Sequence, residues 1–416
     1  MSFLSWLDYS ESERRKMLDV ISLFQQKESR DELGLGTIRD AFADIFFPGT
    51  STIQTRARYF MFIPWIYQKL ERSNNDADSI ERKARKFECD LIEKLIASGE
   101  DEGVIGRRAG RGLQRLPSNI YWSGMQRWRV LLFAGSQTQC HKWFYKKERN
   151  EISFKELIED PESDLLGLSK RTWNLAIPLP QPEFPDKVDF KLKKDEALFL
   201  KEQILSHCRG SLLAYLVLNG RLCGVDIDFV WMHPQYNEFP RNIQERLEHA
   251  RNFSEIMHGA AWLYNLMLAE QVEQEKKISA NDDINNHAKN YRQEVRKWFQ
   301  EIKSSKSRFL SWDKKRFWEI IAEQNTHIPN KTKSFCMQWI KYIDCIENGF
   351  DEFINNVDIR AMIKDREKAL KRENARLSNR RALENWKGES GIGQLDFRWH
   401  IARTMINDIL DGINQG

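Results

Sequence analysis

Between Arg241 and Lys276 the residues Ile243, Leu247, Ala250, Met257, Ala261, Leu268 and Val272 recur at three-, four- and seven-residue steps. That is the period of one long amphipathic helix, and its apolar stripe has to be buried against other helices. The small residues in HGAAWLYN (258–265) let another helix approach it closely. Periodicity predicts further helices at about 284–303, 313–324, 332–348, 358–374 and 397–412. The second half of the chain therefore reads as a helical bundle.

The first half reads as helical too. Ser10 with Glu13 forms a capping box opening a helix to about Gln26. A second helix is expected over Ile38–Phe46, stopped by Phe47-Pro48-Gly49. Thr50 or Ser51 then caps a third, kinked at Pro64. The polar SNNDADS (73–79) is a loop, followed by an amphipathic helix over Ile80–Ala97. Four prolines fall in IPLPQPEFP (177–185), a spacing that belongs to extended chain and not to a helix or central strand. This places a domain boundary there: an N-terminal helical part (1–150), a Pro-rich connector (151–188) and a C-terminal helical domain (189–416). Alternation in GVDIDFVW (224–231) suggests one short β element. The expected fold class is mainly α with little β.

Composition supports a folded chain. Of the 416 residues 41% are hydrophobic, and 14 tryptophans are incompatible with the aromatic-poor signature of disorder. The most hydrophobic run, Tyr59–Tyr67, is nine residues, far short of the roughly 20 that cross a bilayer. No secretory signal opens the sequence, so a cytoplasmic protein without a membrane partner is expected. None of the six cysteines has C-x-x-C spacing. The dipeptides Cys140-His141 and His207-Cys208 look like halves of a metal site, but neighbours on a helix diverge by about 100°, so packed, reduced thiols are preferred. No cofactor is expected.

Charge is where the sequence is unusual. The chain is formally +4, yet Gly103–Lys147 holds nine Lys or Arg and no acid. Local field, not net charge, decides what a surface attracts. Ile105, Ala109, Leu113 and Leu116 mark one face of a predicted helix, with Arg107, Arg111 and Arg115 four apart on another. Pro117-Ser118 stops it and caps the next, whose stripe is Tyr121, Met125, Trp128 and Leu132. Asn119, Ser123, Gln126 and Arg127 face away. This is the grammar of a helix-turn-helix. Arg107, Arg108, Arg111 and Arg115 suit phosphate, Asn119, Ser123, Gln126 and Arg127 would lie at the groove, and Arg129 belongs to the same nucleic-acid-binding set. The plainer alternative is that these arginines answer acids in the same chain or in a partner protein. Arg56 and Arg58, beside the hydroxyls of PGTSTIQTRAR (48–58), form a second possible phosphate site, although a helix cap is the simpler reading. In Lys364–Arg381, eight bases face three acids, and NARLSNRR could touch phosphate.

Catalytic motifs are sparse. Arg251-Asn252 with His258 resembles the R-x(4–6)-H signature of helical HEPN ribonucleases, in which histidine would move a proton and arginine would stabilise phosphorane charge. A packed histidine is the alternative, since His258 begins the small-residue patch. His287-Ala288-Lys289 with Glu294 imitates phospholipase D spacing by chance. GESGIG (388–393) completes no nucleophile elbow, dinucleotide fingerprint or P-loop.

RARYFMFIPWIYQ (56–68), GRRAGRGLQRLPSNIYWSGMQRW (106–128) and ARLSNRRALENWKGESGIGQLDFRWHIARTMINDIL (375–410) together resemble one bacterial family, domain of unknown function 6361, over essentially the whole chain. The resemblance implies gene clusters like phage-defence operons, beside helicases and phospholipase-D-type nucleases. It assigns no functional residue. The expected protein is a non-enzymatic nucleic-acid-binding subunit, DNA being preferred, of a multi-protein antiviral defence system. A metal-independent ribonuclease and a protein–protein scaffold are the alternatives.

Overall fold

The computed structural model describes residues 31–72, 77–148, 171–220, 226–278, 287–344, 347 and 349–415. Among them the helices are α1 (Gly36–Phe46), α2 (Tyr59–Glu71), α3 (Ala77–Ala97), α4 (Pro117–Arg127), α5 (Gln137–Glu148), α6 (Lys194–His207), α7 (Leu212–Asn219) and α8 (Arg241–Ile278). There follow α9 (His287–Ser304), α10 (Lys306–Ser311), α11 (Lys314–Ala322), α12 (Asn330–Asp344), α13 (Phe350–Asn355), α14 (Val357–Lys371), α15 (Arg380–Glu384) and α16 (Trp399–Asn414). The protein is mainly helical. Extended pairing among the described residues is one isolated bridge, Leu131 with Trp173. The strand expected near 224–231 is not formed in its described part, where Val230–Met232 is a 3-10 turn. The helix expected from Ser10 lies outside the described residues.

The chain divides into two compact units. One is drawn from Met1–Phe42 and Glu245–Leu395, the other from Ala43–Gln244 and Asp396–Gly416. The division does not fall at the Pro-rich segment. Ile177 is buried, Pro178 O accepts from Trp65 Nε1 at 2.7 Å, and Phe184 stacks on Phe62, so 177–185 is packed within the second unit.

In the first unit α8 is the spine. Gly259 lets α9 approach: a Cβ there would lie 2.1 Å from the Trp298 ring. Trp298 and Trp339 donate their indole N–H groups to Glu255 O and Ile256 O on α8. The small-residue patch thus admits a helix, as its composition suggests. A second neighbour is not a helix. The extended strap 388–395 runs along α8, its backbone held by polar side chains one and three turns apart. Ser254 Oγ donates to Leu395 O, His258 Nε2 meets Ile392 O, and the Asn265 amide both donates to Ser390 O and accepts from Ser390 N.

In the second unit α16 packs against α6 and α7. The expected cap at Thr50 or Ser51 is not used. Thr50 Oγ1 instead donates to Phe47 O, and eight more residues pass before α2 begins after Arg58. The reason is Tyr121, whose hydroxyl accepts from the Thr55 and Arg56 backbone N–H groups and donates to Arg56 O, holding that stretch as a loop. Pro64 lies inside α2.

Candidate nucleic-acid interface

The first helix of the expected helix-turn-helix does not exist. Residues 103–116 form successive turns with one 3-10 turn at Gly110–Gly112. Gly103, Gly106 and Gly110 all adopt positive φ, at 81°, 83° and 51°. That conformation breaks a right-handed helix and is cheap for glycine alone. The loop is tied down on both sides. Thr55 Oγ1 donates to Gly103 O, Tyr59 OH accepts from Ile105 N, and Arg85 on α3 donates to Arg111 O.

Two of the expected phosphate ligands are spent on acids nearby. Arg107 pairs with Asp101, and Arg111 pairs with Asp90 and Glu93 of α3. The hydrogen bonds from Arg111 to Glu93 and Asp90 raise its pKa. Arg108 and Arg115 are exposed and make no ion pair among the described residues. Arg56 and Arg58 leave the candidate surface altogether. Arg56 forms a two-point pair with Asp408, and Arg58 lies buried between Glu196 and Asp189.

The second helix is real and begins where expected. Its N-terminus is answered by Glu88, whose carboxylate accepts from Ser118 N at 2.8 Å and Ser118 Oγ at 2.7 Å. Tyr121, Met125 and Trp128 are fully buried, with Trp128 stacked on Phe60 at 4.1 Å and donating to Pro48 O. Leu132, expected on the same stripe, lies beyond the helix end. Two of the expected base readers are used internally. Asn119 accepts from Leu116 N and donates to Gln137, and Gln126 donates to Phe133 O and Gly135 O. Ser123 and Arg127 remain exposed.

What the fold brings together at the far end of α4 is a different group. Asn174 Nδ2 donates both to Arg129 O and to Gln203 Oε1 of α6, at 3.1 Å each. Pro48 O receives both Trp128 Nε1 and the Cys208 thiol. These contacts set Arg127 and Arg129 beside His207 and Arg209, across the C-termini of two helices. All four side chains are exposed. Partial desolvation of its ring lowers the His207 pKa, and the charges of Arg129, Arg127 and Arg209 lower it further. The three arginines make no ion pair among the described residues. Arg129 also has φ 56°, the left-handed position that glycine ordinarily fills after a helix. His207 and Arg209 were not found from the sequence, because nothing local joins them to Arg127.

The alternative catalytic residues are committed elsewhere. Arg251 pairs with Glu255, Asn252 is buried and accepts from Arg308, and the His258 ring nitrogen meets Ile392 O at 3.0 Å. Burial lowers the His258 pKa. Among the described residues no group of three or more His, Cys, Asp or Glu could hold a metal ion, and no helix is long and apolar enough to cross a membrane. Cys89, Cys140, Cys208 and Cys336 are buried and not disulfide-bonded.

Fold and surface together define a class: a mainly helical protein of two compact units, one carrying exposed arginines that make no ion pair among the described residues. The chain belongs to the family described as a family of unknown function (DUF6361), matched over residues 1–412. No curated protein and no solved structure matches it.

Proposed function

We propose that this protein is a non-enzymatic nucleic-acid-binding subunit, with DNA as the expected polymer. In the bacterial defence setting that its family resemblance implies, it would present the strand to a partner helicase or nuclease. The cluster Arg127, Arg129 and Arg209 engages phosphates, and the exposed Arg108, Arg115 and Lys142, in the sequence stretch 103–147 that holds no acid, add positive charge. Arginine forks match phosphate oxygens, and the C-terminal ends of α4 and α6 tolerate such cations well.

The observation that carries the reading is Arg129. A charged side chain stands at φ 56°, a position where glycine costs nothing, and it has no ion pair among the described residues to compensate. Strained residues persist where function selects them. Arg129→Gly relieves the backbone while removing the charge. The expected outcome is a melting temperature equal to or above wild type, with nucleic-acid affinity reduced several-fold and a shallower salt dependence. Log affinity falls with log salt at a slope of roughly 0.9 per duplex phosphate contact, so Arg127→Glu with Arg209→Glu should flatten it further. Reversing Arg107 and Arg111, already paired with acids, should change the slope less. Wild-type affinity in Arg129→Gly and in the Arg127/Arg209 double variant would refute the assignment, and co-purification with an acidic partner protein would then favour the scaffold.

A further inference from the structure

The chain leaving the arginine cluster carries a feature that phosphate binding alone does not use. After Arg129 it turns back through Leu131, pairs once with Trp173, and presents Phe133. The Phe133 ring folds over Gly135, where a Cβ would come within 2.6 Å of it, and lies 6.3 Å from the half-buried ring of Trp143 on α5. Two amide and indole donors fix this turn to α4: Gln126 reaches Phe133 O and Gly135 O, and Trp122 Nε1 donates to Gly135 O at 3.0 Å. Gln126 immediately precedes Arg127. The turn is therefore pinned to the same end of α4 that carries the cations, with exposed Lys142 next to Trp143.

Half-buried aromatic rings with exposed cations beside them, in a stretch free of acids, are the arrangement that takes unpaired bases. A positively charged track follows the backbone, while rings stack on bases whatever their identity. Bases in a duplex are already stacked and offer no face to such rings. We propose that this surface binds single-stranded nucleic acid, with Phe133 and Trp143 as the stacking platform and Arg127, Arg129 and Arg209 on the phosphates. The inference rests on the nucleic-acid reading above and specifies its substrate.

The test uses the full chain with labelled 15-mers as single-stranded DNA, single-stranded RNA and duplex DNA of one sequence, titrated across a salt series. Either single strand is expected to bind roughly tenfold or more tighter than the duplex, and preference between the two reads the sugar. Phe133→Leu and Trp143→Leu should each weaken single-strand binding by about tenfold, leaving the salt slope unchanged. The arginine variants should lower the slope instead. Equal or tighter duplex binding overturns the inference, as do folded leucine variants with wild-type affinity, and either result leaves the phosphate reading standing. No binding of any of the three overturns both. Should the leucine variants misfold, photocrosslinking of wild type to an iodouridine 15-mer decides: adducts on Phe133 or Trp143 support the platform, and adducts confined elsewhere refute it.

Discussion

Glu88 is a carboxylate with no solvent and no hydrogen-bonded cation, and its partners are the Ser118 N–H, the Ser118 hydroxyl and Tyr67 OH. Burial pushes its pKa up to about 7, with the Ser118 hydrogen bonds opposing. The folded state therefore holds a proton that the unfolded chain releases near the ordinary carboxylate value of about 4.5. Between those values the native protein binds more protons than the unfolded one, so this group makes stability fall as pH rises from about 4.5 to about 7, then level off. Glu88→Gln should remove that decline, because a neutral amide accepts the same N–H without carrying charge. Melting temperatures of both proteins from pH 4.5 to 8 check it; parallel curves would show that Glu88 stays ionised. The residue scale is also where the sequence was least legible. Arg56 sits among hydroxyls in the chain, as a phosphate ligand would, but the acid that claims it is 352 positions away. Arg127 could be read as exposed because the buried stripe fixes its face, whereas its neighbours His207 and Arg209 arrive through α6.

Elements show the opposite balance. From α8 onward the longer helices fall where the apolar period places them, since each buries one stripe, while the short α10, α13 and α15 lie outside the expected ranges. Prediction fails where glycine or a tertiary hydrogen bond overrides the period. The apolar positions of 103–116 do recur at helical spacing, yet three glycines in left-handed conformation convert that spacing into turns. Their count was visible in the sequence, and it outweighs a stripe of four residues. GESGIG (388–393) completes no catalytic motif in the sequence, and in the fold it belongs to the strap 388–395, a peptide laid on α8. Asn265 supplies two of the hydrogen bonds that hold it, so Asn265→Ala leaves both Ser390 backbone groups without that partner. At a net of about 0.5–1.5 kcal/mol per bond, the strap should open more often than the helices beside it. Limited proteolysis should then cut 388–395 several-fold faster in the variant while α8 fragments persist. Unchanged cleavage would mean that Ser254 and His258 suffice.

At the scale of the whole molecule, neither unit is a continuous piece of chain. The second unit ends on α16, which follows the entire 245–395 insertion and packs on α6 and α7. A chain stopped after Leu395 should therefore lose the second unit and keep the first. Hydrogen exchange would show amides of α2, α4 and α6 exchanging freely while those of α8 beyond Glu245 stay protected; protection throughout would show that α16 is dispensable. The arginine surface belongs to the second unit, so this truncation should also abolish nucleic-acid binding.

The same topology imposes an order in time. Residues enter the cell from one end at about 5–20 per second, and the Arg56 guanidinium waits for an aspartate made 352 residues later. That is a delay of roughly 20–70 s at those rates, and through its second half the faces of α6 and α7 that α16 will cover have no lid while Arg56 and the arginine cluster present their charge together. While that interval lasts the growing chain is more cationic at this end than the finished protein. Its encounters with polyanions, including its own message, belong to synthesis as much as to the mature fold.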